Sequence, residues 1–192
     1  MTWYKKSDLV NPNNSWLEKK LAVALKNTGE FNEALEYYNK SLESDPDNFH
    51  LIMSAGQCLL ACKKPKEALK HFYHAQYLKP EKMSPSRAVA WTELLSNNYE
   101  KAISQYEKIL NNPEANKTDF LNAGHAYLAS GNFPAALRQY RKFVDYSENE
   151  NITDLVIAFR DDSQTMKELG IKTSDMRLII DKLRYDISSN PT

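Results

Sequence analysis

An all-α protein made of stacked helix pairs is what this sequence predicts, from three observations. Pro12, Pro46 and Pro80 stand 34 residues apart, and so do Tyr4, Tyr38 and Phe72, and Ala34 and Ala68. The stretch from Gly29 to Asn48, GEFNEALEYYNKSLESDPDN, holds a turn, an amphipathic helix and a proline stop, and it lands on itself when shifted by that interval. Between such markers apolar residues recur at helical spacing. A fixed period of this size belongs to supersecondary units that bury their apolar faces on one another, not to a single closed core.

Composition narrows the classes. Apolar residues make up 42% of the 192, enough for a core, so disorder is not expected. Lys plus Arg and Asp plus Glu each count 25, which leaves no net field to gather nucleic acid or acidic lipid. No unbroken apolar run exceeds the length of Leu155 to Phe159, far short of the ~20 residues of a membrane span. Met1 to Val10 has no apolar run of the secretory kind. A cytoplasmic location follows as an expectation, weakened by the N-terminal register described next.

Residues 1–14 read as the second-helix half of a repeat whose first helix is missing. Tyr4, Lys6, Ser7, Pro12 and Asn14 match Tyr38, Lys40, Ser41, Pro46 and Asn48. Such a half-unit cannot bury its own face, so the expectation is a piece of a longer array; the alternative is a natural N-terminal helix that happens to match. Residues 15–48 form the first complete unit. Trp16, Leu17, Leu21, Ala22, Ala24 and Leu25 lie on its first helix, Gly29 suits the left-handed cap position, and Phe31, Ala34, Leu35, Tyr38 and Leu42 line the second. Residues 49–82 repeat the plan, with Lys63-Lys64-Pro65 in place of the glycine turn and proline near the start of the next helix. Residues 83–113 are irregular. The second helix is clear from Tyr99, Ala102, Ile103, Tyr106 and Ile109, but ungapped alignment puts Glu93 where Leu25 and Leu59 are expected to be buried. The stripe Ala88, Trp91, Leu94 and Leu95 points to a slip of about one residue. Trp91 then takes the place of Ala22, Gly56 and Gly124, or faces the inner surface; both stay open.

Residues 117–150 are the most regular unit, with Phe120, Ala123, Gly124, Tyr127, Gly131, Phe133, Ala136 and Tyr140 at the expected offsets. Its last residues, from Glu148, begin a polar, acidic linker that runs to Asn151. In residues 151–192 the period breaks. Ile152 to Leu169 reads as one interrupted helix or two short ones, Gly170 as a stop, and Ser174 to Ile187 as a final helix with a stripe of Leu178, Ile179, Leu183 and Ile187. A solenoid needs a terminal element over its last exposed face, and this tail is the candidate for a C-terminal helical cap.

The repeated residues resemble the tetratricopeptide repeat. Leu21-Ala22-Leu25 with Ala34-Tyr38-Ser41-Pro46 carries its large–small–large and Ala–aromatic–small–Pro signature, and Ala123-Gly124-Tyr127 with Phe133-Ala136-Tyr140 carries it again. The resemblance covers roughly Ser15 to Ser147 and the half-unit before it. It implies a right-handed α-α superhelix whose first helices line a concave groove that binds a peptide or protein segment.

Counted from Ser15, the second, fifth, ninth, twelfth and thirteenth residues of a unit should face that groove. These are Trp16, Lys19, Val23, Lys26 and Asn27 in the first unit, and His50, Met53, Gln57, Leu60 and Ala61 in the second. The fourth contributes Thr118, Leu121, His125, Leu128 and Ala129. Lys19 and Lys26 give a modest preference for acidic ligands, unless they are merely solvated; Trp16 could instead pack on a preceding helix. A chaperone-type carboxylate clamp is not supported. Lys19 matches its first lysine, but Val23 and Ser54 replace its asparagines, and the third unit lacks the Lys/Arg pair.

Other chemistry is sparse. Cys58, Cys62, His71 and His74 are zinc-ligand types, but their spacing is no familiar finger, and no metal or other cofactor is expected. The two cysteines, four apart on one helix, are poorly placed for a disulfide. Asp161-Asp162 and the Glu148, Glu150 pair lack a partner base, and no serine sits in a nucleophile elbow, so no enzyme is expected. Nucleic-acid binding and membrane insertion are not expected either. The predicted function is a protein–protein interaction module; the alternative is a structural or self-associating segment of a larger protein, with no peptide ligand of its own.

Overall fold

A computed structural model describes residues 15–146 and 152–189; the register of residues 1–14 and the linker at 148–151 lie outside them. Eleven α-helices and no strands make up the described residues. They divide into two compact units, one ending at Thr92 and the other starting at Glu93, with the boundary inside one helix.

The first unit holds α1 (Ser15–Asn27), α2 (Phe31–Ser44), α3 (Phe49–Ala61), α4 (Pro65–Leu78) and most of α5 (Met83–Leu95). Helix α1 packs on α2, α2 on α3 and α3 on α4. Leu21, Ala22 and Leu25 of α1 meet Ala34 and Tyr38 of α2 and Leu51, Ala55 and Cys58 of α3 in one apolar cluster. Leu59, Ala68, Phe72 and Val89 make the next. Close approach depends on the small residue of each first helix. A Cβ on Gly56 would lie 2.5 Å from the Phe72 ring, so an alanine does not fit there without displacing it.

The second unit holds α6 (Tyr99–Leu110), α7 (Lys117–Ala129), α8 (Phe133–Asp145), α9 (Thr153–Asp161), α10 (Ser163–Glu168) and α11 (Thr173–Ser189). Helix α7 packs on α6 and α8, and the tail helices α9 and α11 pack on α8 and on each other. Asn116 closes a capping box with Asp119 at the start of α7, satisfying amides that the first turn leaves without partners. Of the two readings of Ile152 to Leu169 the tail has two short helices, and it has the Gly170 stop, with φ +76°. One detail differs: Met176, Ile179 and Leu183 are the buried stripe of α11, while Leu178 faces solvent.

First helices begin at residues 15, 49, 83 and 117, and second helices at 31, 65, 99 and 133, so the interval is 34 throughout. The turn chemistry repeats with it. Gly29, Lys63, Asn97 and Gly131 all have positive φ, between 58° and 84°. Behind each, an amide reaches back five residues to the first helix: Glu30 to Leu25, Lys64 to Leu59, Asn98 to Glu93 and Asn132 to Tyr127, all at 2.9 Å. This is the bond that seals a helix whose next residue is left-handed. Lys63 and Asn97 thus adopt a backbone better suited to glycine.

The same regularity corrects the third unit. Helix α5 carries no slip, because Val89 and Ala90 are fully buried and Ala90 is the small residue of its repeat. Glu93 does occupy the position of Leu25 and Leu59, buried, and accepts a hydrogen bond from Asn98 Nδ2 at 2.6 Å. A carboxylate can fill an apolar site when a donor comes with it. Trp91, next to Ala90, is half-buried and does not fill the small-residue place.

Candidate functional site

The side of α1, α3 and α5 turned away from their partner helices is the candidate site of the first unit. Trp16 is 65% exposed, with Lys20 Nζ 5.7 Å from its ring centre, and Val23 is 45% exposed. Lys26 Nζ donates to Gln57 Oε1 at 3.0 Å, which shows that α1 and α3 present these positions side by side. Lys19 lies 3.8 Å from the Asp45 carboxylate, a solvent-exposed pair of small energetic weight. Asn27, His50 and Ala61 are exposed; Met53 and Leu60 are half-buried, each packed against the apolar clusters beneath. The structure therefore leaves the named residues of the first two repeats accessible on one face. Arg87 and Trp91 occupy the same places on α5; the slip assumed for that helix hid Arg87 and left Trp91 between two placements, of which the inner-surface one holds, and stepping 34 residues from Met53 and Gln57 reaches both.

In the second unit the named positions fare differently. Thr118 is exposed, but Leu121 and Leu128 are each 8% exposed and His125 is fully buried. They offer little surface to a ligand, and over His125 the tail sets Asp162 and the Phe159 ring. Lys117 pairs with Asp154, and His125 Nε2 lies 3.2 Å from Asp162 Oδ2. Both pairs are 37 residues apart, so α9 runs alongside α7 in the same direction. The Phe159 ring packs edge-on to Tyr140 at 5.0 Å, and the Tyr99 hydroxyl donates to the Leu169 carbonyl at 3.3 Å.

His125 forms a buried polar relay that the repeat pattern could not announce, since its partners come from α8 and from the aperiodic tail. Its Nδ1 lies 2.8 Å from the Tyr140 hydroxyl. Burial, and secondarily the Asp162 charge, hold the Tyr140 phenol well above its ordinary pKa, so the phenol keeps its proton and donates it to Nδ1. A carboxylate can only accept, so the tautomer with hydrogen on Nε2 satisfies both neighbours. The relay ties α7, α8 and the tail together; its buried histidine meets no opening.

The zinc-type residues of the first unit do not converge. Cys58 is buried, Cys62 Sγ donates to Asn32 Oδ1 at 3.2 Å, and His74 lies 3.0 Å from Asp47. Among the described residues no three His, Cys, Asp or Glu side chains gather as a metal site, and no helix is long and apolar enough to cross a membrane.

With this geometry in hand, the comparisons define the class. Residues 19–48 match the tetratricopeptide repeat family. MamA, a solved structure, superposes with a TM-score of 0.67 at 21% identity, over 74% of this chain and 83% of that one. A thermophilic tetratricopeptide protein of Thermus thermophilus superposes with a TM-score of 0.62 at 19% identity, over 83% and 87%. A tetratricopeptide protein of Parabacteroides merdae does so with 0.66 at 16%, over 94% and 74%. The chain therefore has the all-α helix-pair fold of these tetratricopeptide repeat proteins, and in its second unit the C-terminal helices pack on the last pair. Among curated proteins it is 29% identical over 136 residues to human Superkiller complex protein 3; the match takes in 70% of this chain and 8% of that much longer relative.

Proposed function

We propose that the chain is a protein–protein interaction module whose first-helix face, in residues 15–92, binds a segment of a partner protein. The observation that carries this reading is the contrast between equivalent positions. In α7 Leu121, Leu128 and His125 are buried, the last against Phe159 and Asp162 of the tail, whereas in α1 Trp16 and Val23 stand in solvent on a packed, preformed scaffold. A preformed face places most of the ordering cost of binding on the ligand, which favours capture of short segments. The human relative is by name part of a complex, in keeping with such a role.

Peptide selection from a random phage library on the immobilised chain tests it. Selected peptides should lose most of their affinity for a Trp16→Ala, Val23→Arg variant whose melting curve matches the parent. Unchanged affinity would move the binding site elsewhere. If light scattering instead shows a concentration-dependent doubling of mass that the same variant abolishes, the face serves self-association.

A further inference from the structure

We infer that the first-helix face of residues 15–92 takes an acidic segment, with carboxylates set between apolar side chains, and that Arg87 and Trp91 of α5 are binding residues in it. This rests on the interaction reading above; it sharpens the modest acidic preference of Lys19 and Lys26 into a defined partner chemistry and adds Arg87 and Trp91 to the face.

Charge is the first ground. The ligand-facing positions of α1, α3 and α5 up to Thr92 carry three cations, Lys19, Lys26 and Arg87, and no carboxylate. The unit around them is rich in acids, among them Glu30, Glu33, Glu36 and Glu43, but those stand on α2 and the turn before it. Lys26 spends its hydrogen bond on the neutral Gln57 amide, which leaves its charge uncompensated by that contact. Asp45, from the turn before α3, reaches Lys19 at 3.8 Å; both side chains are well exposed, so an incoming carboxylate can displace it at small cost.

Apolar surface is the second ground. Trp16, Val23 and Trp91 stand at positions of this same face, and the tryptophans give large contact area at low entropy cost. Lys19 and Lys26 are seven residues apart on α1, about 10 Å along the axis, with Val23 between them. That distance is about three residues of polyproline II helix, in which every third side chain returns to the same face. A ligand with an acid every third residue and apolar side chains between would meet cation, apolar surface and cation in turn. Single-stranded nucleic acid, the other polyanion that stacks on tryptophan, fits less well, because its phosphates need a continuous basic track and these cations are separated by apolar side chains.

The test is fluorescence anisotropy on the whole chain with three fluorescein-labelled probes: a twelve-residue peptide repeating Glu-Leu-Phe, its Lys-Leu-Phe counterpart, and a twelve-nucleotide oligouridylate. The acidic peptide should bind at least about tenfold more tightly than the basic one, more weakly as salt rises. Lys26→Glu and Arg87→Glu should each weaken it by about fivefold, and Trp91→Ala by at least as much, with unchanged circular dichroism melts. Equal binding of both peptides with no effect of the charge reversals would overturn the acidic assignment. If binding were still lost in Trp16→Ala, the docking face itself would stand. Tighter binding of oligouridylate than of the acidic peptide would overturn the partner class. Failure of all three probes, together with library peptides indifferent to Trp16→Ala, would remove the function proposed above as well.

Discussion

Replace Gly124 by alanine and the new methyl carbon falls 2.4 Å from Tyr140 Cε1, 2.7 Å from Cδ1 and 2.8 Å from Cζ. Real carbon–carbon contacts do not approach this closely, so either the ring or the α7 backbone must move. The ring has little room, since Tyr140 is fully buried, its hydroxyl is bonded to His125 and Phe159 packs against it. Overpacking of this kind costs ~1–3 kcal/mol. Breaking the Tyr140–His125 bond, which leaves two buried polar atoms short of partners, adds ~1–3 kcal/mol. The gain from removing a glycine inside a helix is ~1 kcal/mol. The net loss is therefore about 1–5 kcal/mol, and at ~2–4 °C per kcal/mol the transition that includes α7 and α8 should fall by several degrees. Differential scanning calorimetry, with hydrogen exchange on α7 amides to locate the change, measures it. Gly56→Ala is the internal control: it meets Phe72 at 2.5 Å, but with no hydroxyl to disconnect it should cost less. A Gly124→Ala protein that melts at or above the parent temperature would refute the account of how the two helices are held together.

Two further outcomes follow from the described geometry. Lys63→Gly should raise stability by up to ~1 kcal/mol in urea titrations, because the lysine has φ 58° in a turn where two of the other three repeats use glycine. Burial, and then the hydrogen bond donated to Glu107 Oε1 at 2.8 Å, push the Tyr127 pKa up to about 12 from 10. Since the folded state holds this proton more tightly, the associated stability is present below pH 10 and is lost as pH rises toward 12, a slope that Tyr127→Phe should flatten in alkaline melts followed alongside phenolate absorbance.

Much of the fold was legible because the repeat imposes it locally. Proline stops, alanine seams and aromatic positions each encode one step of a 34-residue unit, and the helices begin where those markers place them. Legibility failed where a residue type misstates its environment. Glu93 looks solvent-exposed, and the sequence alone does not reveal that Asn98, five residues on, supplies the donor that lets it be buried. That substitution, with the stripe of Ala88, Trp91, Leu94 and Leu95, led to the assumed slip, and the slip hid Arg87 and left the place of Trp91 open. His125 fails for another reason: its position is ligand-facing by repeat logic, but helix α9 follows no repeat and covers it. The accessible face of α1 and α3 could be named in advance because its residues depend on helical phase alone.

The aromatic residues Tyr38, Phe72 and Tyr106 of the first three second helices carry a last consequence. The hydroxyls of Tyr38 and Tyr106 are buried without a well-formed hydrogen bond, and the polar side chains facing them, Ser54 and Asn122, stand sixteen residues on. Where the corresponding residue is Ala88, the ring is that of Phe72, which has no hydroxyl to satisfy. Neighbouring repeats are thus matched like consecutive pages of one book. A duplicated or transposed unit would set a tyrosine against an alanine, or a serine against a phenylalanine, and strand a polar group in the seam. An array that grows by copying whole units would in this way acquire an order that resists shuffling, and recombination between its repeats should survive mainly where the ring and the facing residue travel together.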